Sequence, residues 1–553
     1  MSSSHRSPIF ELSDKYVTAW TRISPMDGTE IGSKDRQDQL DDFSHKGLAR
    51  KAILIKETLK QLNSLSPLDD IDGVAKAVLE ERLNSKLGLL ESNESLLSWG
   101  VINSPVILIR KVFELMPYGS DEEISNITHR LNSVDVAHRS WVKGLSYLAG
   151  EGQINSRRQV EGVIKQLRTF SEGAYSAFAT HIDPAGTYPG LHEAAREADA
   201  SALSTSNWLS DKYLPSAPER DGVGEARYLC SARDWTGADL DLRAIYEWGL
   251  QDLEEINQRM WQVAAKIKPD AKTLGEIADY LEKDPKYLVS GTDVLLEKLR
   301  AFTEDAVQQM DGIHFDMDDR IKFCDVLIAP EGSSAAPYYQ GPSEDLSRPG
   351  TTWFPTLGKN EFSWWRLPSI WYHEAVPGHH LQVATAAVQK DRQSRFQRAG
   401  EFGSVSGYAE GWALYAERLM DELGAYEDPG VEMGFLSAQA LRAARIVVDI
   451  GLHLGYLDYE GQAWSADAAV RALIDRALID EDFARSEVDR YLAMPGQAIS
   501  YKVGEKFWLE ARESAKMRLG SKFDLKKFHA HALNMGSMGL DPFATEMAKW
   551  DGA

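Results

Sequence analysis

Two cysteines, Cys230 and Cys324, are all that this chain of 553 residues contains, and they stand far apart. One pair makes no disulfide framework, and there is no Cys-x-x-Cys to hold a metal or run thiol chemistry. The expected compartment is a reducing cytoplasm. Long apolar runs are missing as well: nowhere do eighteen apolar residues follow one another, so no membrane-spanning helix is expected. Residues 1–11 carry no apolar stretch of the secretory kind, and no leader is expected. Basic charge is in deficit, with 61 Lys and Arg against 84 Asp and Glu and a formal charge of −23. That field repels phosphate backbones and anionic lipid, which excludes nucleic acid and membrane surfaces as general partners. Nucleotide fingerprints are also absent, with neither a Walker A loop nor Gly-x-Gly-x-x-Gly. Gly403-Ser404-Val405-Ser406-Gly407 is no nucleophile elbow, because Val405 stands where the serine would be.

What the chain does have is helical periodicity. Apolar residues recur at helical spacing over 47–65, 71–90, 122–148, 156–180, 191–214, 239–267 and 292–310. Between Asp311 and Phe362 the texture changes. The run 321–328 is rich in strand formers and ends at the turn signal Ala329-Pro330-Glu331-Gly332. The runs 336–341 and 351–354 flank a polar loop, and helices resume near Leu367. The expected fold is mainly α with a small antiparallel sheet of two to four strands beside a cleft. A helical N-terminal region, 1–310, precedes a catalytic region, 311–553, and the two can form one continuous unit.

The densest chemistry lies in His373-Glu374-Ala375-Val376-Pro377-Gly378-His379-His380. A helical zinc site usually reads His-Glu-x-x-His, two imidazoles on one face with a Glu beside the first as general base. Here Pro377 occupies the second His position. In a straight helix, residues six apart lie about 120° around the axis and ~9 Å along it, too far to share an ion. Pro377 has no N–H for the carbonyl of His373, and Gly378 loosens the next step. Two looped-out residues would bring His379 to the second ligand position, whereas His380 would need three. His379 is therefore preferred, with His380 kept beside Glu374 in the catalytic set.

A third ligand is expected from the helical stretch 407–417, where Glu410 and Glu417 share one face about 10.5 Å apart. One can be a ligand and the other a hydrogen-bond partner behind a ligand histidine. Further on, Arg442, Arg445, Asp449 and His453 follow at spacings of three and four along one helix. An arginine there could grip a substrate carboxylate, with Asp449 behind it, or the whole stripe could be an ion-pair ladder.

The histidine segment, continued by Leu381-Gln382 and followed by Tyr408-Ala409-Glu410-Gly411-Trp412-Ala413-Leu414-Tyr415, resembles the DUF885 family, which is similar in turn to M32 carboxypeptidases and other gluzincin metallopeptidases. The resemblance implies a large helical zincin-like fold and one Zn2+ per chain, held by His373, His379 and Glu410. The gap between the two histidines is longer than in the M32 pattern. The segment 494–504 is similar to one that brings a late tyrosine into the cleft, which makes Tyr501 the expected oxyanion donor, with Gln497 near it. A strand edge beside the metal would meet extended substrate, which puts Tyr339 and Arg348 among the expected substrate contacts. The expected activity is hydrolysis of short peptides. A binding protein without turnover and a hydrolase of other amides or esters are the alternatives.

Overall fold

The computed structural model describes residues 7–331, 334, 336–343 and 345–553; residues 1–6 and Gly332 of the expected turn lie outside the described residues. Helices account for 68% of the chain, so the mainly α expectation holds. Helix starts follow local chemistry: the Ser44 side chain accepts from Gly47 N at the head of His45–Asn63, and Asp69 and Asp241 do the same for Asp70–Glu91 and Leu242–Ile267. Two expected helices are each two. The stretch 122–148 divides into Asp121–Asn132 and Val134–Gly150. The stretch 156–180 divides into Arg157–Ser171 and Ala174–Ile182, because Gly173 sits at φ 118°, outside the helical region. Each half keeps its apolar stripe, so periodicity alone does not see the break.

The single antiparallel sheet is also corrected. Strands β1 (Leu288–Ser290) and β5 (Glu361–Ser363) pair antiparallel on their own. Strands β2 (Cys324–Ile328), β3 (Tyr338–Gln340) and β4 (Gly350–Phe354) form a mixed sheet in the order β2-β4-β3, with β2 parallel to β4. A parallel pair needs a crossover of about a dozen residues or more, and the long connection after β2 supplies it.

The elements around the candidate site are α1 (Thr292–Met310), α2 (Leu367–Glu374), α3 (His379–Val388), α4 (Ser406–Glu422), α5 (Pro429–Leu454) and α6 (Ser500–Leu519). One apolar cluster joins Val289, Leu295, Leu299, Val326, Phe354 and Phe362 to Leu367, Trp371 and Ala375. It seats α2 on the strands and α1. The largest core takes residues from Ile9 to Trp550, drawing on both sides of Asp311.

Helices α4 and α6 cross at glycines. A Cβ on Gly504 would stand 2.0 Å from the Gly407 carbonyl oxygen and 2.6 Å from Gly411 Cα, both backbone atoms that no rotamer change can move. The side chain of Glu410 therefore hangs from a helix whose distance from α6 is set by hydrogen atoms. Gly504→Ala is expected to destabilise the fold by about 1–3 kcal/mol through overpacking. Denaturant midpoints measure this, and an unchanged midpoint would mean that the crossing is not tight.

Candidate metal centre

Helix α2 ends at Glu374, where Ala375 leaves the helical region at φ −96° and ψ −117°. Helix α3 starts afresh at His379, so the expected bulge inside one helix is instead a clean break of four residues. Pro377 supplies no N–H to continue the ladder. Gly378 is required by space, since a Cβ there would lie 1.9 Å from the His373 carbonyl oxygen. The freed backbone groups are met elsewhere: His380 N donates to Ala375 O at 3.1 Å, and Trp412 Nε1 donates to Pro377 O and Gly378 O at 2.9 and 3.1 Å.

The break brings the two histidines together. His373 Nε2 and His379 Nε2 lie 3.1 and 3.5 Å from the same Glu410 oxygen, and the two rings stand 4.8 Å apart at 88°. Donors about 2.0–2.1 Å from a tetrahedral zinc are separated by about 3.3 Å, so both spacings to Glu410 suit such a site, and the three donor atoms all lie within 4.8 Å of one another. The donor chemistry fits too. His373 Nδ1 donates to Glu417 Oε1 at 2.8 Å, which directs Nε2 toward Glu410. Glu417 has no solvent exposure and is held by the Ser369 hydroxyl at 2.6 Å, with Arg442 Nη2 at 3.8 Å. Of the two carboxylates of α4, Glu410 thus lies against the Nε2 atoms of both histidines and Glu417 lies behind His373.

The electrostatics follow from this packing. Burial opposes a charge on His373, but its contacts with Glu410 and Glu417 outweigh it and lift the pKa to about 9. Burial likewise opposes the charge on Glu410, and the two imidazoles override it, holding the carboxyl well below its usual range. Glu374 is different. Burial dominates there and raises its pKa, the direction that makes a carboxylate a better base. Arg442 and both histidines are close enough to stabilise its charge in part.

Tyr501 is half-buried and keeps its proton, first through burial and next through the nearby charge of Glu410. Its ring lies under the Arg445 guanidinium at 4.4 Å. Arg445 itself is committed to Glu487 at 2.7 Å, and Glu487 also takes Arg490 at 2.9 Å. Arg490 donates in turn to the Gln497 side chain. Arg445 and Gln497, expected to touch substrate, thus belong to a network behind Tyr501.

Other expected residues lie away from the centre. His380 faces the sheet: its Nε2 donates to Ile321 O at 2.8 Å, which leaves Nδ1 to accept from the Tyr339 hydroxyl at 3.1 Å. Burial pushes its pKa down to about 4, so it is a neutral structural imidazole outside the catalytic set. Tyr339 is spent on the same contact. Arg348 is exposed and staples its own loop through Gly341 O and Pro349 O. Asp449 and His453 are fully buried, Asp449 accepting from the Tyr228 hydroxyl and Gly496 N, His453 donating to Tyr491 O. Of the stripe on α5, only Arg442 reaches the centre.

Sequence reasoning missed Ser369, although it stands four residues before His373 and therefore on the same helical face. It also missed a cavity of about 490 Å³ that runs up to Glu410 between N-terminal helices and the head of α4.

Residues 25–547 match the family described as "Bacterial protein of unknown function (DUF885)". The chain belongs to this family. Among solved structures, a "putative lipoprotein" of Colwellia psychrerythraea superposes with a TM-score of 0.82 at 23% identity, covering 98% of each chain. A second, of Shewanella oneidensis, described as a "putative lipoprotein of unknown function", gives 0.79 at 16% identity over 98% of this chain and 100% of that one. These likenesses establish the fold and carry no activity. No curated protein matches the chain.

The Glu417 contact yields a test within this DUF885 chain. Glu417→Gln is expected to weaken zinc affinity about 10- to 100-fold, measured by competition with a chromogenic chelator. Equal affinity in the two proteins would remove Glu417 from the site.

Proposed function

We propose that the chain is a zinc-dependent peptidase acting on short peptides. The observation that carries this reading is the convergence of His373, His379 and Glu410 on one point with Glu374 beside them. The resemblance to M32 carboxypeptidases and gluzincins speaks for the same zincin-like chemistry. A zinc ion in that position would supply Lewis acidity and make water nucleophilic near neutral pH.

The protein groups divide the remaining work. Glu374, with its raised proton affinity, takes the proton of the attacking water and returns it to the departing amine. Tyr501, protonated and within the field of Glu410, offers a hydrogen bond to the oxygen that gains charge as the carbonyl becomes tetrahedral. Glu417 keeps the His373 ring in place. Arg442 borders a second cavity of about 740 Å³, and its buried Nε has no hydrogen-bond partner among the described residues. It is suited to hold a substrate carboxylate, which favours small unblocked peptides over proteins.

The wide His373–His379 spacing gave the binding-protein alternative its support, and the two nitrogens meet the same carboxylate oxygen despite that spacing. The two free thiols suit a reducing cytoplasm. The description of the two structural relatives as lipoproteins speaks instead for an envelope location, and cell fractionation separates the two.

With zinc loaded, Glu374→Gln is expected to lower kcat on an unblocked peptide library by about 10²- to 10⁴-fold. Tyr501→Phe is expected to lower it by about 10²- to 10³-fold. Both should keep wild-type zinc content. Full activity in zinc-loaded Glu374→Gln protein would overturn the assignment of the base.

A further inference from the structure

The cavity that ends on Glu410 has an unusual lining. Tyr16 and Trp20 come from the first described helix, Pro8–Ile23, and meet Phe402 from the segment before α4. The Tyr16 and Trp20 rings lie 6.4 and 6.2 Å from Phe402, both edge-on, so the three form one aromatic corner. Asp27 stands at this corner with its carboxylate fixed by Trp20 Nε1 at 2.7 Å. Glu30 and Asp234 lie on the same walls.

Charge counting gives the cavity a sign. Among the described residues of its lining the cations are Arg82 and Lys86, against the carboxylates Asp27, Glu30, Asp234 and Glu410. Arg82 is already neutralised by Glu81, which is not part of the lining, through contacts of 2.6 and 2.7 Å. A divalent ion at the metal centre would cancel Glu410; Lys51, which also faces Asp27, is taken by Asp41 at 2.8 Å, and Asp27 and Asp234 would still face the one lysine of the lining, Lys86. Aromatic faces beside a surplus of carboxylate attract an ammonium group and repel a carboxylate. One Trp20 face already carries such a contact, with Lys51 Nζ 5.3 Å from the ring centroid.

We propose that this cavity is the subsite for the cationic end of the substrate, an ammonium group held by Asp27 against Tyr16, Trp20 and Phe402. The proposal rests on the peptidase reading and names its substrate class: short peptides that carry an ammonium group on one side of the scissile bond and a carboxylate toward Arg442 on the other. The ammonium is either the free N-terminus or a lysine side chain. The subsite also gives the N-terminal region a role, because Tyr16, Trp20, Asp27 and Glu30 all precede residue 31.

The test compares three probes on the full chain loaded with zinc: Ala-Ala-Ala, its N-acetyl form, and N-acetyl-Lys-Ala-Ala. KM and kcat are measured for wild type, Asp27→Asn and Glu30→Gln. Acetylation of Ala-Ala-Ala is expected to raise KM about 10-fold or more, the loss of one charge-assisted contact. Asp27→Asn should raise KM by a similar factor for the ammonium-bearing probe and leave the neutral one unchanged. Rescue of the acetylated peptide by lysine assigns the side-chain ammonium, and absence of rescue assigns the N-terminus. Glu30→Gln, at an exposed position, should give a smaller shift of the same selectivity and guards against misfolding of the Asp27 variant. Equal KM for the free and acetylated peptides, or an equal effect of Asp27→Asn on both, would overturn the proposal.

If no peptide is cleaved, calorimetric titration of lysinamide into the same proteins decides separately. Binding in wild type that weakens in Asp27→Asn would support the subsite even as the peptidase reading fails, and no binding in wild type would overturn it.

Discussion

The contact between Glu417 and His373 is the constraint on which the site depends. A carboxylate with no solvent exposure costs several kcal/mol unless charge and hydrogen bonds meet it. Glu417 is met by His373 on α2, by Ser369 one turn earlier on the same helix, and at longer range by Arg442 on α5. Three helices are therefore tied to one buried charge. Burying Glu417 fixes the rotation of α4, and that rotation points Glu410, two turns earlier, at His373 and His379. The glycine crossing of α4 and α6 then sets the depth at which Glu410 sits.

The break between α2 and α3 is the second condition. A continuous helix would carry His379 about 120° around the axis and ~9 Å along it from His373, too far to meet the same carboxylate oxygen. Pro377 and Gly378 follow the end of α2 at Glu374, and Trp412 of α4 binds the carbonyls that the break exposes. The helix that carries Glu410 thus also caps the loop that positions His379. This mutual support explains how two histidines six residues apart can face one carboxylate oxygen.

Much of this was legible in the sequence, because it is local. The helix over 292–310, the strand formers of β2 and β4, and the restart at Leu367 follow from periodicity and turn chemistry. The preference for His379 follows from the geometry of a Pro-Gly interruption. What was not legible depends on contacts distant in sequence. Arg445 and His453 share spacing with Arg442, yet Glu487 and the carbonyl of Tyr491 claim them, and no periodicity announces those partners. Tyr339 lies next to the metal motif through His380, a contact with the structural imidazole. Pairing of β1 with β5, and of β2 parallel to β4, requires knowing which strands the chain brings back together. The aromatic and acidic cavity escaped notice for the same reason: Tyr16, Asp27, Asp234 and Phe402 carry no common motif and meet only in the fold.

The central claim is that His379, and not its neighbour, completes a metal centre with His373 and Glu410. Metal content by mass spectrometry tests it most directly, on wild type, His379→Ala and His380→Ala purified without chelator or metal-affinity steps. The account predicts about one zinc per chain in wild type and in any folded His380→Ala protein, and loss of zinc in His379→Ala. A wild-type protein that stays free of metal after zinc is supplied, or a His379→Ala protein that retains it, would contradict the account.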